Sequence, residues 1–173
     1  MNPQVLIAGA GPVGMTLANE LARQGVGVRI VDKAVSRTDK SKALVLWSRT
    51  LELFDDAGYA QAFMPHGIQA HGAQISTGKE IVARITFDSI DSRFPYALMI
   101  PQSDTERVLE ERLEASGINV ERRVELTRFT DKGDKVQAML LKPSGEEELV
   151  TADWLVGCDG AVSYTHLTLP TKA

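Results

Sequence analysis

The stretch that decides the fold is VLIAGAGPVGMTLANELARQGVGVRIVD, residues 5–32. Its short apolar run, Gln4 to Ala8, is typical of a strand buried on both faces of a parallel sheet. From Val13 the apolar residues recur at helical spacing, and Gly25 stands where a helix usually ends. A second apolar run then closes at Asp32. The pattern predicts a strand–helix–strand unit with the usual right-handed crossover.

The first turn of this unit has three glycines in G-x-G-x-x-G order. Gly9 permits a tight turn, Gly11 lets the backbone approach a pyrophosphate, and Gly14 lets the helix pack close to the strand. Backbone amides at the helix start, at the positive end of the helix dipole, can bind a diphosphate without any basic side chain. The predicted contact segment comprises Gly9, Ala10, Gly11, Pro12, Val13 and Gly14.

Asp32 follows the second strand, about 20 residues after the glycines, where a carboxylate accepts hydrogen bonds from ribose hydroxyls. The same carboxylate would repel a 2′-phosphate, so the sequence predicts an unphosphorylated adenosine. FAD and NAD both carry an ADP half, and the glycines alone leave both open. The alternative is that the glycines serve only as turns and that Asp32 is a solvated loop acid.

The middle of the chain predicts further regular elements. Residues 48–58, SRTLELFDDAG, have helical spacing, and residues 73–87 predict a hairpin around Thr77-Gly78. A helix is predicted in residues 101–117, where Ser103 and Glu106 have capping-box spacing. Three strand-like runs then predict a small antiparallel meander: VELTRFT, VQAMLLKP and ELVTADWLVGC.

Composition excludes several classes of protein. The chain has 173 residues, 43% apolar and 24% charged, enough for one domain with its own core. The net charge of −4 is not concentrated in blocks, which predicts neither a nucleic-acid nor a membrane partner. One cysteine fits a reducing compartment, and the N-terminus lacks the pattern of a signal peptide, so we predict a cytoplasmic protein. His66 and His71 lack a second ligand set, and no metal site is predicted.

Four segments, taken in order, resemble the FAD-binding part of a known family. They are VLIAGAGPVGMTLANELARQGVGVRIVDK, KALVLWSRTLELFDDAG, PYALMIPQSDTERVLEERL and LVGCDGA. The family is the single-component, group A flavoprotein monooxygenases of the p-hydroxybenzoate hydroxylase type, and phenol, hydroxyphenylpropionate and polyketide hydroxylases are the most similar in character. The resemblance covers about Val5 to Ala161, and its most specific pieces are CDG after a strand and the PQSDTE helix entry.

The resemblance implies roles for residues outside the glycine loop. Asp32 would bind the adenosine ribose with Lys33 beside it, where the family usually has Glu-Arg. Lys42 stands where the family often has an arginine near the FAD; lysine keeps the charge but loses the planar fork. An ordinary solvated lysine is the alternative for Lys42.

Two later segments complete the implied site. Gln102 would hydrogen-bond the FAD near its ribityl-phosphate region, unless it merely precedes the capped helix. Asp159 and Gly160 match an Asp-Gly motif that serves both FAD and the reducing nicotinamide cofactor. A buried unpaired carboxylate is costly, which favours a function for Asp159.

The implied activity is hydroxylation of a phenolic or other aromatic substrate. NADPH or NADH would reduce the flavin, and O₂ would give a C4a-hydroperoxyflavin that transfers oxygen to the ring. We assign no catalytic side chain and no metal ligand. The alternatives are an NAD-dependent dehydrogenase and a non-catalytic dinucleotide-binding module; CDG and PQSDTE argue against the module, because simple adenosine binding would not require them.

The predicted fold class is α/β: a Rossmann-like FAD-binding fold with a central parallel sheet and a small antiparallel meander, truncated relative to the family. Residues 1–161 would form the FAD-binding domain, with residues 71–100 as the first strands of a substrate domain. Residues 162–171, VSYTHLTLPT, are what one frame of a transposase-end sequencing adapter encodes. We therefore interpret residues 162–173 as a non-native tail, with a genuine short strand as the alternative, and predict that the fragment itself is inactive.

Overall fold

The computed structural model describes residues 3–37, 44–158 and 160. The chain divides into two compact units: Met1–Arg37 with Leu109–Ala173, and Thr38–Val108. In the described residues no helix is both long enough and apolar enough to cross a membrane. The predicted boundary at residue 161, the substrate-domain strands in residues 71–100 and the cytoplasmic location stay predictions. The hypothesis of a non-native tail concerns residues 162–173, which lie outside the described residues.

Twelve strands, three α-helices and two short 3₁₀ helices form in the described residues. The helices are α1 (Pro12–Arg23), α2 (Ser48–Asp56) and α3 (Gln102–Ala115), and the 3₁₀ helices are Ala60–Ala62 and Met64–His66. The strands are β1 (Val5–Ala8), β2 (Val28–Asp32), β3 (Val45–Leu46), β4 (Ile68–Ala70), β5 (Gly72–Ser76), β6 (Ile81–Thr86), β7 (Ala97–Met99), β8 (Glu121–Arg122), β9 (Glu125–Asp131), β10 (Val136–Leu141), β11 (Glu147–Ala152) and β12 (Trp154–Gly157).

The first unit is built on a parallel sheet with strand order β12-β1-β2-β8. All four residues of β1 are buried, as expected for a central strand covered on both faces. The helix α1 ends at Arg23, and Gly25 follows two residues later with a positive φ and donates its N–H to the carbonyl of Ala22. The predicted strand–helix–strand unit is confirmed.

An antiparallel meander, β9–β10–β11, packs on this sheet. Leu6, Ala8 and Val31 of the parallel sheet share one buried apolar cluster with residues of the meander and the segment before it, namely Val124, Ala138, Leu140, Val150 and Ala152. Such burial contributes roughly 25 cal/mol per Å² of apolar surface, so this cluster stabilises the packing of the meander on the sheet.

The third strand-like run, ELVTADWLVGC, does not form one strand of the meander as predicted. It divides at Asp153 into β11, which completes the meander, and β12, which joins the parallel sheet beside β1. The N–H groups of Asp153 and Trp154 both donate to the carbonyl of Gln4, and this fixes the switch between the two sheets. The run contains no Gly or Pro before Gly157, so its composition does not reveal the break.

The helix α3 forms where predicted, and Leu109 and Leu113 on one face are fully buried. The predicted capping box is wrong in its position, since the helix already begins at Gln102 and Ser103 lies inside the first turn. The carbonyl of Pro101 accepts the first helical hydrogen bonds. The buried side chain of Asn19 donates to the carbonyls of Met15 and Leu109, and so ties α1 to α3.

The second unit contains a three-stranded antiparallel sheet, β3-β7-β4, and the separate hairpin β5–β6. The hairpin forms around Thr77-Gly78 as predicted, with Gly78 at φ +89°. The predicted helix in residues 48–58 is also confirmed. Phe54 of this helix stacks on Tyr59 and on Phe63, with its ring centroid 4.9 Å from each of theirs.

Candidate cofactor-binding site

The loop between β1 and α1 is held against the end of β2. Gly9 has φ +109°, a region that favours glycine, and its N–H donates to the carbonyl of Val31 at 2.8 Å. The N–H of Ala10 donates to Oδ2 of Asp32 at 2.6 Å. The tight turn assigned to Gly9 from the sequence is therefore present.

Gly14 is required for packing. A Cβ at this position would lie 1.9 Å from the carbonyl oxygen of Gly9 and 3.2 Å from Cβ of Cys158. Such a distance to a backbone atom is impossible without moving the loop. The close approach of helix and strand predicted from the sequence is confirmed by this geometry.

Gly11 is different, because neither its backbone nor its neighbours in the described residues demand glycine. Its φ of −78° is open to any residue, and a Cβ would meet nothing within 4 Å. Open space beside a glycine at a helix N-terminus is what close approach of a diphosphate requires. The residues present therefore fit a dinucleotide.

The N-terminus of α1 can accept an anion. Pro12 is the first helical residue, and no side-chain hydrogen bond caps the helix at Gly11. Val13, the next residue, is 71% exposed. The first amides of a helix have no intrahelical partners and carry partial positive charge, so a phosphate oxygen here is favourable.

Asp32 ends β2 with its carboxylate fixed by two backbone amides. Oδ2 accepts from Ala10 at 2.6 Å and Oδ1 accepts from Ala34 at 2.7 Å. A carboxylate can accept about four hydrogen bonds, so both oxygens keep capacity toward a ligand. Lys33 beside it is exposed.

The CDG segment begins next to the glycine loop. β12 pairs with β1, and the N–H of Cys158 donates to the carbonyl of Ala8 at 2.6 Å. Gly160 is exposed with φ +83°, whereas Asp159 lies outside the described residues. The carboxyl ends of β1, β2 and β12 thus bring together the glycine loop, Asp32 and the start of the CDG segment.

Two other predicted residues are not brought to this edge by any described contact. Lys42 lies outside the described residues. Gln102 belongs to the second unit, where its side-chain amide donates to Oε1 of Glu106 at 2.8 Å. Their predicted cofactor contacts stay predictions.

Sequence reasoning missed a group of charged residues beside Asp32. Nη1 of Arg122 lies 3.6 Å from Oδ2 of Asp32, and Nη2 of Arg122 donates to Oε1 of Glu110 at 3.0 Å. Oε2 of Glu110 accepts from Arg37 at 2.7 Å. Since β8 is only two residues long, it leaves no periodic signal that could have placed Arg122 in the sheet.

No cluster of metal-ligating side chains occurs in the part of the chain that the structure describes. His71, one of the two histidines considered from the sequence, has Nδ1 3.0 Å from Oδ1 of Asp88. His66 ends a 3₁₀ helix.

The parallel sheet, the glycine loop and the carboxylate at the end of the second strand define a fold of the Rossmann type, the class that binds dinucleotides. Residues 2–173 match the family described as FAD binding domain, and the chain belongs to that family.

Named relatives agree with this assignment. The chain is 42% identical over 163 residues to 6-methylpretetramide 4-monooxygenase of Streptomyces rimosus, covering 93% of this chain and 29% of that enzyme. The structure of OxyS anhydrotetracycline hydroxylase from Streptomyces rimosus superposes with a TM-score of 0.81 and 34% identity, over 92% of this chain and 32% of that one.

A third structure was solved with its ligands. The flavin-dependent monooxygenase PieE, in complex with FAD and substrate, superposes with a TM-score of 0.82 and 26% identity, over 94% of this chain and 31% of PieE. The chain therefore spans about a third of the length of the relatives it matches.

Proposed function

We propose that this chain is the N-terminal FAD-binding portion of a flavin-dependent monooxygenase that hydroxylates a phenolic or other aromatic substrate with NADPH or NADH and O₂. The observation that carries the proposal is the site at the carboxyl ends of β1 and β2, in a chain of the FAD-binding family. The three relatives named above are, by their names, monooxygenases or a hydroxylase.

The residues of this chain would bind and orient the cofactor. Amides at the start of α1 would hold the diphosphate, and the space beside Gly11 would admit it. Asp32 would accept hydrogen bonds from the adenosine ribose. Bound FAD would supply the redox and oxygen-transfer chemistry, which no side chain of this segment provides.

Other roles implied by the resemblance form part of the proposal. Lys42 and Gln102 would contact the FAD, and Asp159 with Gly160 would serve both the FAD and the nicotinamide reductant. Residues that orient the aromatic substrate would lie mainly in the part of the relatives' length that this chain does not span. We therefore expect the 173-residue chain to bind cofactor without substrate turnover.

The test is a titration of the purified chain, and of the full-length gene product that carries it, with FAD and with NAD. We expect a bleachable flavin spectrum on FAD binding, with NAD as a weak competitor. Asp32→Ala should weaken FAD binding by at least about tenfold, because a hydrogen bond to a charged group contributes about 1.5–3 kcal/mol.

Asp134→Ala is the matched control, since Asp134 is an exposed acid in the turn between β9 and β10. It should leave FAD affinity unchanged. Tighter binding of NAD than of FAD would support a dehydrogenase instead. Equal FAD affinity in wild type and Asp32→Ala would show that FAD does not bind at the proposed site. Oxygenation of an aromatic probe, driven by NADPH or NADH, is expected of the full-length product alone.

A further inference from the structure

The guanidinium of Arg122 is the second charged group at the sugar position, and no sequence motif predicts it. The parallel register of β2 and β8 places Arg122 directly opposite Asp32. Nη1 of Arg122 lies 3.6 Å from Oδ2 of Asp32, and the two side chains are 17% and 16% exposed. The pair is therefore mostly enclosed but open to a ligand at the carboxyl edge of the sheet.

This pair is not joined by a direct hydrogen bond. A separation of 3.6 Å exceeds the usual N–H···O distance, so the groups attract each other while each keeps bonding capacity. Oδ2 accepts from the N–H of Ala10, which leaves it further lone-pair capacity. In the described part of the chain, Nη2 of Arg122 has an acceptor in Glu110, whereas Nη1 has only the distant carboxylate.

Arg122 is also held in place. Glu110 accepts from Nη2 of Arg122 at 3.0 Å and from Nη1 of Arg37 at 2.7 Å, and its side chain is only 12% exposed. The two guanidinium groups and the two carboxylates of Asp32 and Glu110 balance in charge. The cluster therefore offers directed hydrogen bonds rather than a general attraction for anions, and its side chains lose little further entropy when a ligand binds.

We propose that Arg122 and Asp32 together bind one ribose hydroxyl of the adenosine, which donates to Asp32 and accepts from Nη1 of Arg122. A hydroxyl is both donor and acceptor, so it satisfies a donor and an acceptor that lie too far apart to satisfy each other. Arg122 is then a sugar-specificity residue, and Glu110 is the residue that positions it. The inference rests on the proposed function for the presence of adenosine.

The experiment compares ADP with 2′-deoxy-ADP and 3′-deoxy-ADP by calorimetry on the purified chain. We expect wild type to prefer ADP over one of the deoxy analogues by about tenfold or more, because losing the hydroxyl leaves charged groups unpaired. Arg122→Met should weaken the binding of ADP by about tenfold and leave the binding of that deoxy analogue nearly unchanged. The preference for ADP over this analogue then falls to about threefold or less. A merely structural role would weaken all three ligands by the same factor.

Two further variants keep the test informative if Arg122→Met folds poorly, which circular dichroism would reveal. Glu110→Gln retains Arg122 but loosens it, and should reduce the preference for ADP by a smaller factor. Arg122→Lys keeps a positively charged donor but lacks the planar guanidinium group, and it should retain part of the preference for ADP. Arg128→Met, which changes an exposed arginine on β9, should leave the preference as in wild type.

The outcomes separate the two proposals. If wild type discriminates among the three nucleotides and Arg122→Met loses that discrimination while FAD fails to bind, the flavin proposal fails and the inference stands. If FAD binds and the preference for ADP is the same in wild type, Arg122→Met and Glu110→Gln, the inference alone is overturned. Wild type that binds ADP and both deoxy analogues equally, or binds no ADP, also overturns it.

Discussion

Strand β2 carries two ionic clusters, and they differ in how completely their hydrogen-bonding groups are matched. Around Arg29, four hydrogen bonds of 2.7–2.9 Å run from one guanidinium to the carboxylates of Glu121 and Glu148. Around Asp32, the nearest guanidinium nitrogen stays 3.6 Å away. Because the guanidinium of Arg29 is hydrogen-bonded to both carboxylates, we call Arg29, Glu121 and Glu148 the closed cluster. At Asp32, a donor and an acceptor face one another without a hydrogen bond.

The hydrogen bonds within the closed cluster shift the pKa values of Arg29 and Glu148. The hydrogen bonding that Arg29 donates to Glu148 is the largest cause of both shifts: it lowers the pKa of Glu148 to about 2 and raises the pKa of Arg29 above its ordinary value. Nζ of Lys142 lies 3.5 Å from Glu148 and balances the charge. The contrast teaches that the charges around Arg29 are matched by hydrogen bonds within the fold, whereas Asp32 and Arg122 at the carboxyl end of β2 keep unused hydrogen-bonding capacity.

The largest effect is expected from breaking the closed cluster. Arg29→Met removes the four hydrogen bonds to the partly buried carboxylates of Glu121 and Glu148, although Lys142 stays beside Glu148. It should lower the free energy of unfolding by about 2 kcal/mol, less than for a fully buried pair. FAD affinity should stay unchanged, since Arg29 lies away from the carboxyl edge. Urea denaturation and FAD titration measure the two quantities.

A matched control for this prediction is Arg128→Met, because Arg128 is 66% exposed and pairs with Glu147 at 3.5 Å. Its effect on stability should stay below about 1 kcal/mol. A loss of FAD affinity in Arg29→Met with stability unchanged would reverse the roles assigned to the two clusters.

A smaller effect is expected in acid. Because the folded pKa of Glu148 is about 2 and its ordinary value is 4.5, the unfolded chain binds more protons between these values. The contribution of Glu148 is therefore fully present above about pH 4.5 and is lost as the pH falls toward 2. Glu148→Gln should flatten this part of the stability profile, measured as melting temperature against pH. Parallel profiles for wild type and Glu148→Gln would contradict the assignment.

The smallest effect concerns the turn that follows Arg122. Arg123 has φ +60°, and its N–H donates to the carbonyl of Ala34, so a non-glycine residue is held in the left-handed region. Arg123→Gly should raise the free energy of unfolding by about 0.5 kcal/mol, since relief of the Cβ clash is partly offset by glycine's greater freedom when unfolded. Arg123→Ala keeps the Cβ and should give no gain. Equal stabilisation by both variants would show that the side chain, not the backbone, is responsible.

Local patterns predicted the parts of the fold whose determinants lie close together in sequence. The strand–helix–strand unit, the hairpin at Thr77-Gly78 and the helix that ends at Ala115, just before Gly117, all follow from spacing and turn residues. The separation of β11 from β12 did not, because the determinant is a distant carbonyl, that of Gln4, rather than a turn residue.

The candidate site divides in the same way. The glycine loop and Asp32 could be predicted, because each residue acts through backbone geometry or at a strand end. Arg122 and Glu110 could not, since their relation to Asp32 arises only when β8 joins the sheet and Arg122 donates to Glu110. Pairings between residues this far apart in sequence carry no local signature.

The hairpin β5–β6 has a practical consequence for handling the chain. In the described residues β5 and β6 pair with each other and with no third strand, and Ile75, Ile81 and Ile85 are each at least half exposed. Unpaired edges and bare aliphatic side chains are a template for strand addition between molecules. We therefore expect the isolated polypeptide to self-associate as its concentration rises, through contacts made by the hairpin β5–β6.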